Sequence, residues 1–316
     1  MRIRESELRE RLSTDDDEAL FAALVEHFEP VFEHTPFLHR WLPRAGLVVD
    51  ADGRPLTEGL EQRLIDMANY AQRAWRLRRF LRMREESPHL PVVVCEGDSW
   101  VAHPLIEDIT DHLLDDERYP LLALGVGAAA DLLGRMSTAL EHEQAIKDYG
   151  AVALLLSGGG NDLMGVFPRF LHRWIAGTEP GRLLTEAVDS EIHKLMGTMR
   201  LMLARMEGGV PVVVHGYDHL RVRALGKGGQ LGPFFDAAGI DDPAERSAVL
   251  WAVVDRYNAH LRAATDDMRW VTYVDVRGVV VSDAEWHDDI HPTADGFGRV
   301  TERIATALLE RIPKPG

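Results

Sequence analysis

Five short apolar runs constrain the fold of this chain more than any other feature of its sequence. Each run is continuously hydrophobic rather than alternating, and the intervening segments are long enough to hold helices. Runs of this kind are typical of parallel strands that are covered on both faces. They span residues 92–95, 121–124, 152–156, 210–214 and 271–276. The sequence therefore predicts an α/β fold built on a doubly wound, five-stranded parallel sheet.

The first 90 residues have a different, helical pattern. Residues 13–18 are cap-forming and acidic, and they precede apolar residues at spacings of three and four, which predicts a helix start. These apolar residues are Leu20, Phe21, Leu24, Val25 and Phe28. Helical spacing recurs from Leu60 to Leu81. We therefore predict a mainly helical N-terminal extension over residues 1–90 and a second domain over residues 91–316.

Residues 73–84 of the extension are strongly basic within an acidic protein. Such a segment fits a solvated helix face, and it also fits contact with an acidic face of the same chain or of a second copy. Homo-oligomer formation through the N-terminal helices is therefore one expected outcome.

Charge and composition exclude several classes of partner. The chain carries 35 Lys and Arg against 51 Asp and Glu, a formal net charge of −16, which repels nucleic-acid backbones and anionic lipid surfaces. The single cysteine, Cys95, cannot form an intramolecular disulfide. The first seven residues are charged and lack the apolar run of an export signal. We expect a cytoplasmic protein with no nucleic-acid or membrane partner.

The loops that follow the predicted strands are the places to look for chemistry, because sites in such sheets lie beyond the carboxyl ends of strands. The first run leads into Glu96-Gly97-Asp98-Ser99-Trp100. A serine at this point suits a nucleophile whose backbone N–H faces a developing oxyanion, and it equally suits a helix cap. The Gly-x-Ser-x-Gly elbow of α/β-hydrolases is absent, since Val101 occupies the second glycine position.

Two further loops carry polar groups of a complementary kind. The third run leads into Ser157-Gly158-Gly159-Gly160-Asn161-Asp162, in which the Asn161 amide is either an oxyanion donor or part of a turn. Near the end, Asp288 stands three residues before His291. A carboxylate at that spacing can orient an imidazole so that its other nitrogen acts as a base, although the pair also fits a helix cap.

The second run ends in Gly125-Val126-Gly127, which is similar to a dinucleotide-binding loop. That interpretation requires an acidic residue about 20 positions further on, at the end of the next strand. The next strand begins only after Gly150, so the spacing fails. We therefore expect no nicotinamide or flavin cofactor.

Taken together, the four loops resemble the SGNH (GDSL-type) superfamily of esterases and lipases. The resemblance rests on Gly97-Asp98-Ser99, the second-loop glycine, Gly159-Gly160-Asn161-Asp162 and Asp288-x-x-His291, in this order and strand context. It covers residues 91–316 and leaves the first 90 unexplained. It implies a serine hydrolase with a flavodoxin-like, three-layer fold and a small-molecule ester as substrate.

The resemblance also implies roles for individual residues. Ser99 resembles the nucleophile, His291 its general base and Asp288 the group that orients His291. The oxyanion hole would combine the N–H of Ser99, the side chain of Asn161 and a second-loop N–H, for which Gly127 is preferred to Gly125. Asp98 and Asp162 are expected to brace their loops. No cofactor is required.

Several positions depart from the family pattern or lie outside it. Trp100 replaces a smaller residue, so its indole either narrows the acyl pocket or packs beneath the nucleophile; we therefore expect short acyl or O-acetyl esters. His103 is expected at the helix surface or in contact with the catalytic residues rather than as the base. Residues 221–242, with Phe234 and Phe235, look like a mobile cover that selects substrates.

Two alternatives from other classes stay open. A metal-dependent hydrolase would use the histidine pairs spaced four apart, which are His215, His219, His287 and His291. With fourteen histidines such pairs arise by chance, and the alternative is that His215, Tyr217, Asp218 and His219 line or support the pocket. A non-catalytic binding module on the same fold is the other alternative.

Overall fold

The computed structural model describes residues 2–14, 16–32, 39–44, 46–103, 106–171, 178–222 and 231–312. The chain divides into two compact units, Met1–Glu86 and Ser87–Gly316. The domain boundary predicted from sequence, between residues 90 and 91, lies a few residues beyond this division.

In its described residues, the first unit combines three helices with two small pairs of strands. Its helices are α1 (Glu5–Leu12), α2 (Asp17–His27) and α3 (Glu58–Glu86). Its strands are β1 (Ile3–Arg4), β2 (Phe28–Phe32), β3 (His39–Pro43) and β4 (Val48–Val49). β1 pairs in parallel with β4, and β2 pairs antiparallel with β3. The antiparallel pair is absent from the sequence-based expectation of a mainly helical extension.

Helix α2 begins where the sequence predicts but buries a different face. The Asp16 side chain accepts the N–H groups of Glu18 and Ala19, which satisfies the first turn. Leu20 and Leu24 are buried, whereas Phe21 and Val25 are each 41% exposed. The predicted apolar stripe is therefore wrong at its edges. It is also wrong at its end, because the chain turns extended at Phe28 and starts β2 there.

The second unit is built on the predicted five-stranded parallel sheet. Its strands are β5 (Val92–Glu96), β6 (Leu122–Gly125), β7 (Ala153–Leu156), β8 (Val212–His215) and β9 (Val271–Val274). They lie in the order β6-β5-β7-β8-β9, and every neighbouring pair is parallel. Numbered within the unit, this is the 2-1-3-4-5 order of flavodoxin-like folds. The predicted fold class is confirmed.

Helices flank this sheet and supply the outer layers. They are α4 (Ile109–Asp115), α5 (Leu133–Ala139), α6 (Glu141–Tyr149), α7 (Gly160–Val166), α8 (Ala187–Ala204), α9 (Gly232–Ala238), α10 (Pro243–Thr265) and α11 (Ala294–Arg311). Helix α4 packs against α11, and α8 packs against both α5 and α10. Every residue of β5, β7 and β8 is buried, as expected for strands covered on both faces. None of the helices in the described ranges has the length and apolar composition to cross a bilayer.

The strand order determines which loops are neighbours. β5 lies between β6 and β7, so the loops that follow these three strands leave the sheet side by side. β9 lies three strands away from β5, which at about 4.8 Å per strand is roughly 14 Å. The long loop between β9 and α11 must therefore return across the edge of the sheet to reach the loop after β5.

Asp218, in the loop after β8, anchors the start of that returning loop. Its carboxylate is fully buried and accepts the N–H groups of Gly278 at 2.5 Å and Val280 at 2.7 Å. It also accepts the N–H of His219 at 2.6 Å. A buried carboxylate bonded to three backbone donors ties two loops together more strongly than neutral hydrogen bonds do.

Replacing Asp218 with Asn tests this anchor. The substitution puts an amide NH2 where a backbone N–H now finds an acceptor, so we expect the free energy of unfolding to fall by about 2–4 kcal/mol. Urea unfolding followed by circular dichroism measures the change. The matched control is Asp241→Asn, at a side chain that is 93% exposed and should shift stability by less than about 0.5 kcal/mol. Equal midpoints for the two variants would contradict the assignment.

Candidate active site

Ser99, His291 and Asp288 form a continuous hydrogen-bonded chain. The hydroxyl of Ser99 lies 2.7 Å from Nε2 of His291, and Nδ1 of His291 lies 2.8 Å from Oδ2 of Asp288. The serine and histidine are 192 residues apart in sequence. Ser99 is 4% exposed, Asp288 5% and His291 fully buried.

Asp288 holds the imidazole in one orientation. Its Oδ1 accepts the backbone N–H groups of Ile290 at 2.9 Å and His291 at 2.7 Å, while Oδ2 faces the ring. An ionised carboxylate only accepts hydrogen bonds, so Nδ1 of His291 carries the proton. Nε2 is thereby left as an acceptor for the Ser99 hydroxyl, which is the arrangement a general base requires.

The Trp100 side chain, next to Ser99 in the sequence, packs into the protein interior. Its side chain is 3% exposed, and its indole N–H donates to the carbonyl of Ile290 at 3.1 Å. The ring meets Tyr217 and Phe297 edge-on at 5.1 and 5.7 Å between centroids. Of the two positions that the sequence left open for this indole, the structure has the buried one, where it supports the His291 loop.

The loops after β5, β6 and β7 approach one another closely enough for their backbones to touch. Gly97 has a φ of +154°, and a Cβ on it would lie 2.2 Å from the carbonyl oxygen of Ser157. A Cβ on Gly127 would lie 2.5 Å from the carbonyl oxygen of Gly97, whereas one on Gly125 would meet Thr110 instead. Gly127 is therefore the second-loop glycine that contacts the nucleophile loop.

Two backbone donors near the Ser99 hydroxyl have no acceptor among the described residues. Among the described residues, no acceptor bonds the N–H of Ser99 or that of Gly127. The neighbouring Ala128 N–H is occupied by the carbonyl of Gly97 at 3.0 Å. Free donors at a strand end are what the stabilisation of an oxyanion needs.

Asn161 lies in the first turn of α7 and is 6% exposed. Its Nδ2 donates to the carbonyl of Asp131 at 3.0 Å, which uses one of the two amide hydrogens and leaves the other. The Asp131 loop is itself fixed, since Asp162 accepts the N–H of Leu133 at 3.1 Å. The third loop thus braces the second.

Buried carboxylates at this edge of the sheet have perturbed acidities. Burial raises the pKa of Asp98, against the opposing effect of hydrogen bonds from Tyr217 and Trp100. Burial also raises the pKa of Asp162, and the charges of Asp98 and Asp131 add to this.

The His103 ring lies against the imidazole of His291. Its ring centroid is 4.7 Å from that of His291, in an edge-on arrangement, and its Nδ1 accepts the N–H of Ile106 at 3.1 Å. A ring nitrogen that accepts a hydrogen bond is unprotonated, so this contact favours neutral His103. The more distant His287 is exposed, with its ring 6.2 Å from that of His103.

The four histidines of the metal hypothesis do not converge. His215 is buried with Nδ1 2.7 Å from the carbonyl of Gly216, and His219 bonds Asp255 at 3.0 Å. Both ring nitrogens of His291 face Ser99 and Asp288. In the part of the chain that the structure describes, no three His, Cys, Asp or Glu side chains are grouped to hold a metal ion.

The predicted cover over residues 221–242 is only partly described. Residues 223–230 lie outside the described residues, and α9 follows from Gly232 to Ala238. Phe235 is fully buried and packs against Phe167 at 5.7 Å between ring centroids, so this side chain belongs to the core. Its assignment to a mobile cover is wrong.

Tyrosines contribute contacts that motif reading does not find. The hydroxyl of Tyr217 donates to Oδ2 of Asp98, and the hydroxyl of Tyr257 donates to the carbonyl of Gly158. The sequence predicts a supporting role for Tyr217 from its place after a strand, but not its partners. Nothing in the sequence marks Tyr257, which lies in the middle of helix α10.

Comparison with known proteins gives structural likeness without sequence likeness. No protein-family model and no curated protein matches the chain. Solved structures that it resembles include an extracellular lipase from Streptomyces rimosus, a proposed GDSL-like lipase from Parabacteroides merdae and an acetylxylan esterase from Geobacillus stearothermophilus.

The likeness to these structures is weak in both sequence and superposition. The Streptomyces structure is 15% identical and has a TM-score of 0.45; the match covers 71% of this chain and 100% of that one. The corresponding values are 11%, 0.44, 69% and 96% for the Parabacteroides structure, and 11%, 0.42, 70% and 93% for the Geobacillus structure.

His215 provides a pH-sensitive contribution to stability at this site. The side chain is buried against Trp100 and Tyr217, and this burial lowers its pKa from 6.5 to about 4. Between these values the unfolded chain binds a proton that the folded chain does not. The stabilisation is therefore complete above pH 6.5 and is lost as the pH falls toward 4, with a total of about 3 kcal/mol.

Replacing His215 with Gln should remove this dependence. Over the window from pH 6.5 to 4, the free energy of unfolding should fall less steeply in the variant than in the parent protein. Urea titrations at several pH values measure the two slopes, and their difference isolates His215 from the carboxylates that titrate in the same range. His193→Gln, at an exposed position, serves as the control. Parallel curves for His215→Gln and the parent would refute the interpretation.

Proposed function

We propose that this protein is a serine esterase that cleaves carboxylic esters through an acyl-enzyme intermediate. The observation that carries the proposal is the chain of contacts from the Ser99 hydroxyl through His291 to Asp288, at 2.7 and 2.8 Å. A hydroxyl, a base within hydrogen-bond reach and a third group that orients the base are the arrangement required for nucleophilic catalysis.

In the proposed first step, Ser99 attacks the ester carbonyl while Nε2 of His291 takes the hydroxyl proton. The imidazolium that forms is stabilised by the Asp288 carboxylate, which stays ionised. His291 then gives the proton to the leaving alcohol, and the acyl group remains on Ser99. In the second step His291 removes a proton from water, which attacks the acyl-enzyme. The bond between the acyl carbon and the Ser99 oxygen then breaks, His291 returns the proton to that oxygen, and the acid leaves.

The negative charge on the carbonyl oxygen needs donors that are already in place. Three groups support such an oxyanion hole: the N–H of Ser99, the N–H of Gly127 and the second amide hydrogen of Asn161. The two backbone groups have no acceptor among the described residues, and Asn161 is oriented by Asp131. Fixed donors of this kind are effective because they need no reorganisation during the reaction.

Neutral His103 suits this chemistry. A second positive charge beside His291 would oppose formation of the imidazolium, whereas a neutral ring at 4.7 Å does not. The Ile106 N–H that bonds Nδ1 of His103 favours the neutral form.

Removing the nucleophile tests the proposal. We expect Ser99→Ala to lower the hydrolysis of p-nitrophenyl acetate by at least about 10³-fold and Asn161→Ala by about 10²–10³-fold. The parent protein should react covalently with a fluorophosphonate probe at Ser99 and keep its activity in the presence of a chelator. Ser137→Ala, at a half-buried serine in helix α5, is the matched control. Full activity in Ser99→Ala would refute the serine mechanism.

The proposed substrates are esters of short acyl groups, O-acetyl esters included. Trp100 is packed below the nucleophile, so it does not support this preference. The preference for short acyl groups is supported by the small exposure of the site, since Ser99 is 4% exposed and His291 is fully buried. A panel of p-nitrophenyl esters should show higher kcat/KM for acetate and butyrate than for laurate. The preference is contradicted if the C12 ester is cleaved faster.

A further inference from the structure

The hydroxyl of Tyr217 links the nucleophile loop to the oxyanion loop. It donates to Oδ2 of Asp98 and accepts the N–H of Gly160 at 3.0 Å. Asp98 immediately precedes Ser99, and Gly160 immediately precedes Asn161. The hydroxyl oxygen of Tyr217, which lies in the loop after β8, therefore bonds the two residues that directly precede Ser99 and Asn161, two of the proposed catalytic groups.

Both partners of this hydroxyl are held firmly. Oδ1 of Asp98 accepts the N–H of Trp100 at 3.1 Å and faces the Ser157 hydroxyl at 3.4 Å. A Cβ on Gly160 would lie 2.7 Å from Cζ of Tyr217, so the ring packs directly on the backbone of the oxyanion loop. Movement of either loop relative to the other must break a bond to the hydroxyl or displace the ring.

Tyr217 is itself fixed from several sides. Its side chain is 7% exposed, and its ring meets Trp100 edge-on and Tyr257 at 5.5 Å. Its carbonyl accepts a hydrogen bond from Nδ2 of Asn258 at 2.9 Å. Tyr217 thus lies in a well-packed loop after a third strand, β8, and belongs to neither of the loops that its hydroxyl joins.

The protonation states suit this arrangement. Burial raises the pKa of Tyr217 well above its usual value, with the Asp98 charge as a further cause, so the phenol stays a donor. The bond from Tyr217 and that from the Trp100 N–H favour the ionised form of Asp98, against the effect of burial.

We propose that Tyr217 is a positioning residue that sets the Ser99 hydroxyl and the Asn161 amide in register, acting through Asp98 and Gly160. The inference rests on the proposed function, because it concerns the geometry of the same reaction. Displacing one catalytic group by about 1 Å costs on the order of 10²-fold in rate, so a link of this kind affects turnover without touching the substrate.

The test is Tyr217→Phe, which keeps the ring and removes both hydroxyl bonds. We expect kcat for p-nitrophenyl acetate to fall about 10–100-fold, with KM changed less than about threefold, because the loss falls on the transition state. The rate of fluorophosphonate labelling should fall by a similar factor. Rates are expressed per active site, counted from the labelled protein at completion.

Two tyrosine controls separate positioning from stability. Tyr257→Phe removes the hydrogen bond to the carbonyl of Gly158, two residues before Gly160. This variant should lower the melting temperature with little loss of kcat. Tyr119→Phe removes a buried hydroxyl that has no hydrogen-bond partner in the described part of the chain, so it should leave kcat and KM unchanged. If Tyr217→Phe lowers only the melting temperature and keeps the parent kcat per site, the proposal is overturned.

A double-mutant cycle provides a readout that a structural role would not move. If Tyr217 acts by placing Asn161, the loss caused by Tyr217→Phe should shrink to less than roughly threefold in an Asn161→Ala background. Equal losses in both backgrounds would count against the link. If Tyr217→Phe does not fold, Asp98→Asn alters the other end of the same bond, and the same fall in kcat at constant KM is expected.

Failure of this inference differs from failure of the proposed function. Unchanged turnover in Tyr217→Phe, together with inactive Ser99→Ala, overturns only the role of Tyr217. An active Ser99→Ala protein overturns the esterase mechanism itself.

Discussion

The candidate site depends on the direct backbone contact between the loops that leave β5, β6 and β7. Parallel pairing places Cys95 opposite both Gly125 and Leu155, so β5, β6 and β7 end at the same level of the sheet. No side chain separates them at Gly97, where a Cβ would overlap the Ser157 carbonyl. The loops that carry Ser99, Gly127 and Asn161 are therefore separated only by the contact distance between their backbones. This distance is shorter than packed side chains between the loops would allow.

Buried carboxylates connect these loops to the rest of the unit. The chain has a large acidic excess, yet Asp98, Asp218 and Asp288 are buried and each accepts hydrogen bonds from backbone N–H groups. A carboxylate without such donors would be costly to bury, so each of these bonds both satisfies the charge and fixes a loop. Asp218 joins the loop after β8 to the loop after β9, and Asp288 orients the imidazole. Asp98 joins the nucleophile loop to Tyr217.

The hydrophobic pattern of the sequence predicts the strands of the sheet. Continuous apolar runs identify buried strands because a parallel sheet covered on both faces has no polar side. All five predicted runs overlap a strand of the sheet, with ends that differ by at most two residues. Helix α2 is predicted at its start, where Asp16 caps it, but not at its end. The extended turn at Phe28 comes from pairing with Pro43, a contact that helical spacing does not reveal.

The sequence predicts the orientation of individual side chains less well than it predicts the strands. Trp100 was compatible with two positions, and only the Ile290 carbonyl and the Phe297 ring decide for the buried one. The glycine-rich segment around Phe235 predicts a mobile cover, yet the Phe235 side chain packs into the core against Phe167. In both cases the deciding partner is more than 60 residues away in the sequence.

The sequence by itself determined the fold class, the residue types at the strand ends and the spacing of Asp288 to His291. These are local properties, set by hydrophobic pattern and by what one turn of chain can reach. Tertiary structure alone decided that the loop after β9 returns past β8 and β7 to bring His291 to Ser99, and that Tyr217 spans the gap between Asp98 and Gly160. Such contacts depend on strand order and on the packing of distant segments, and neither is encoded in any one stretch of the chain.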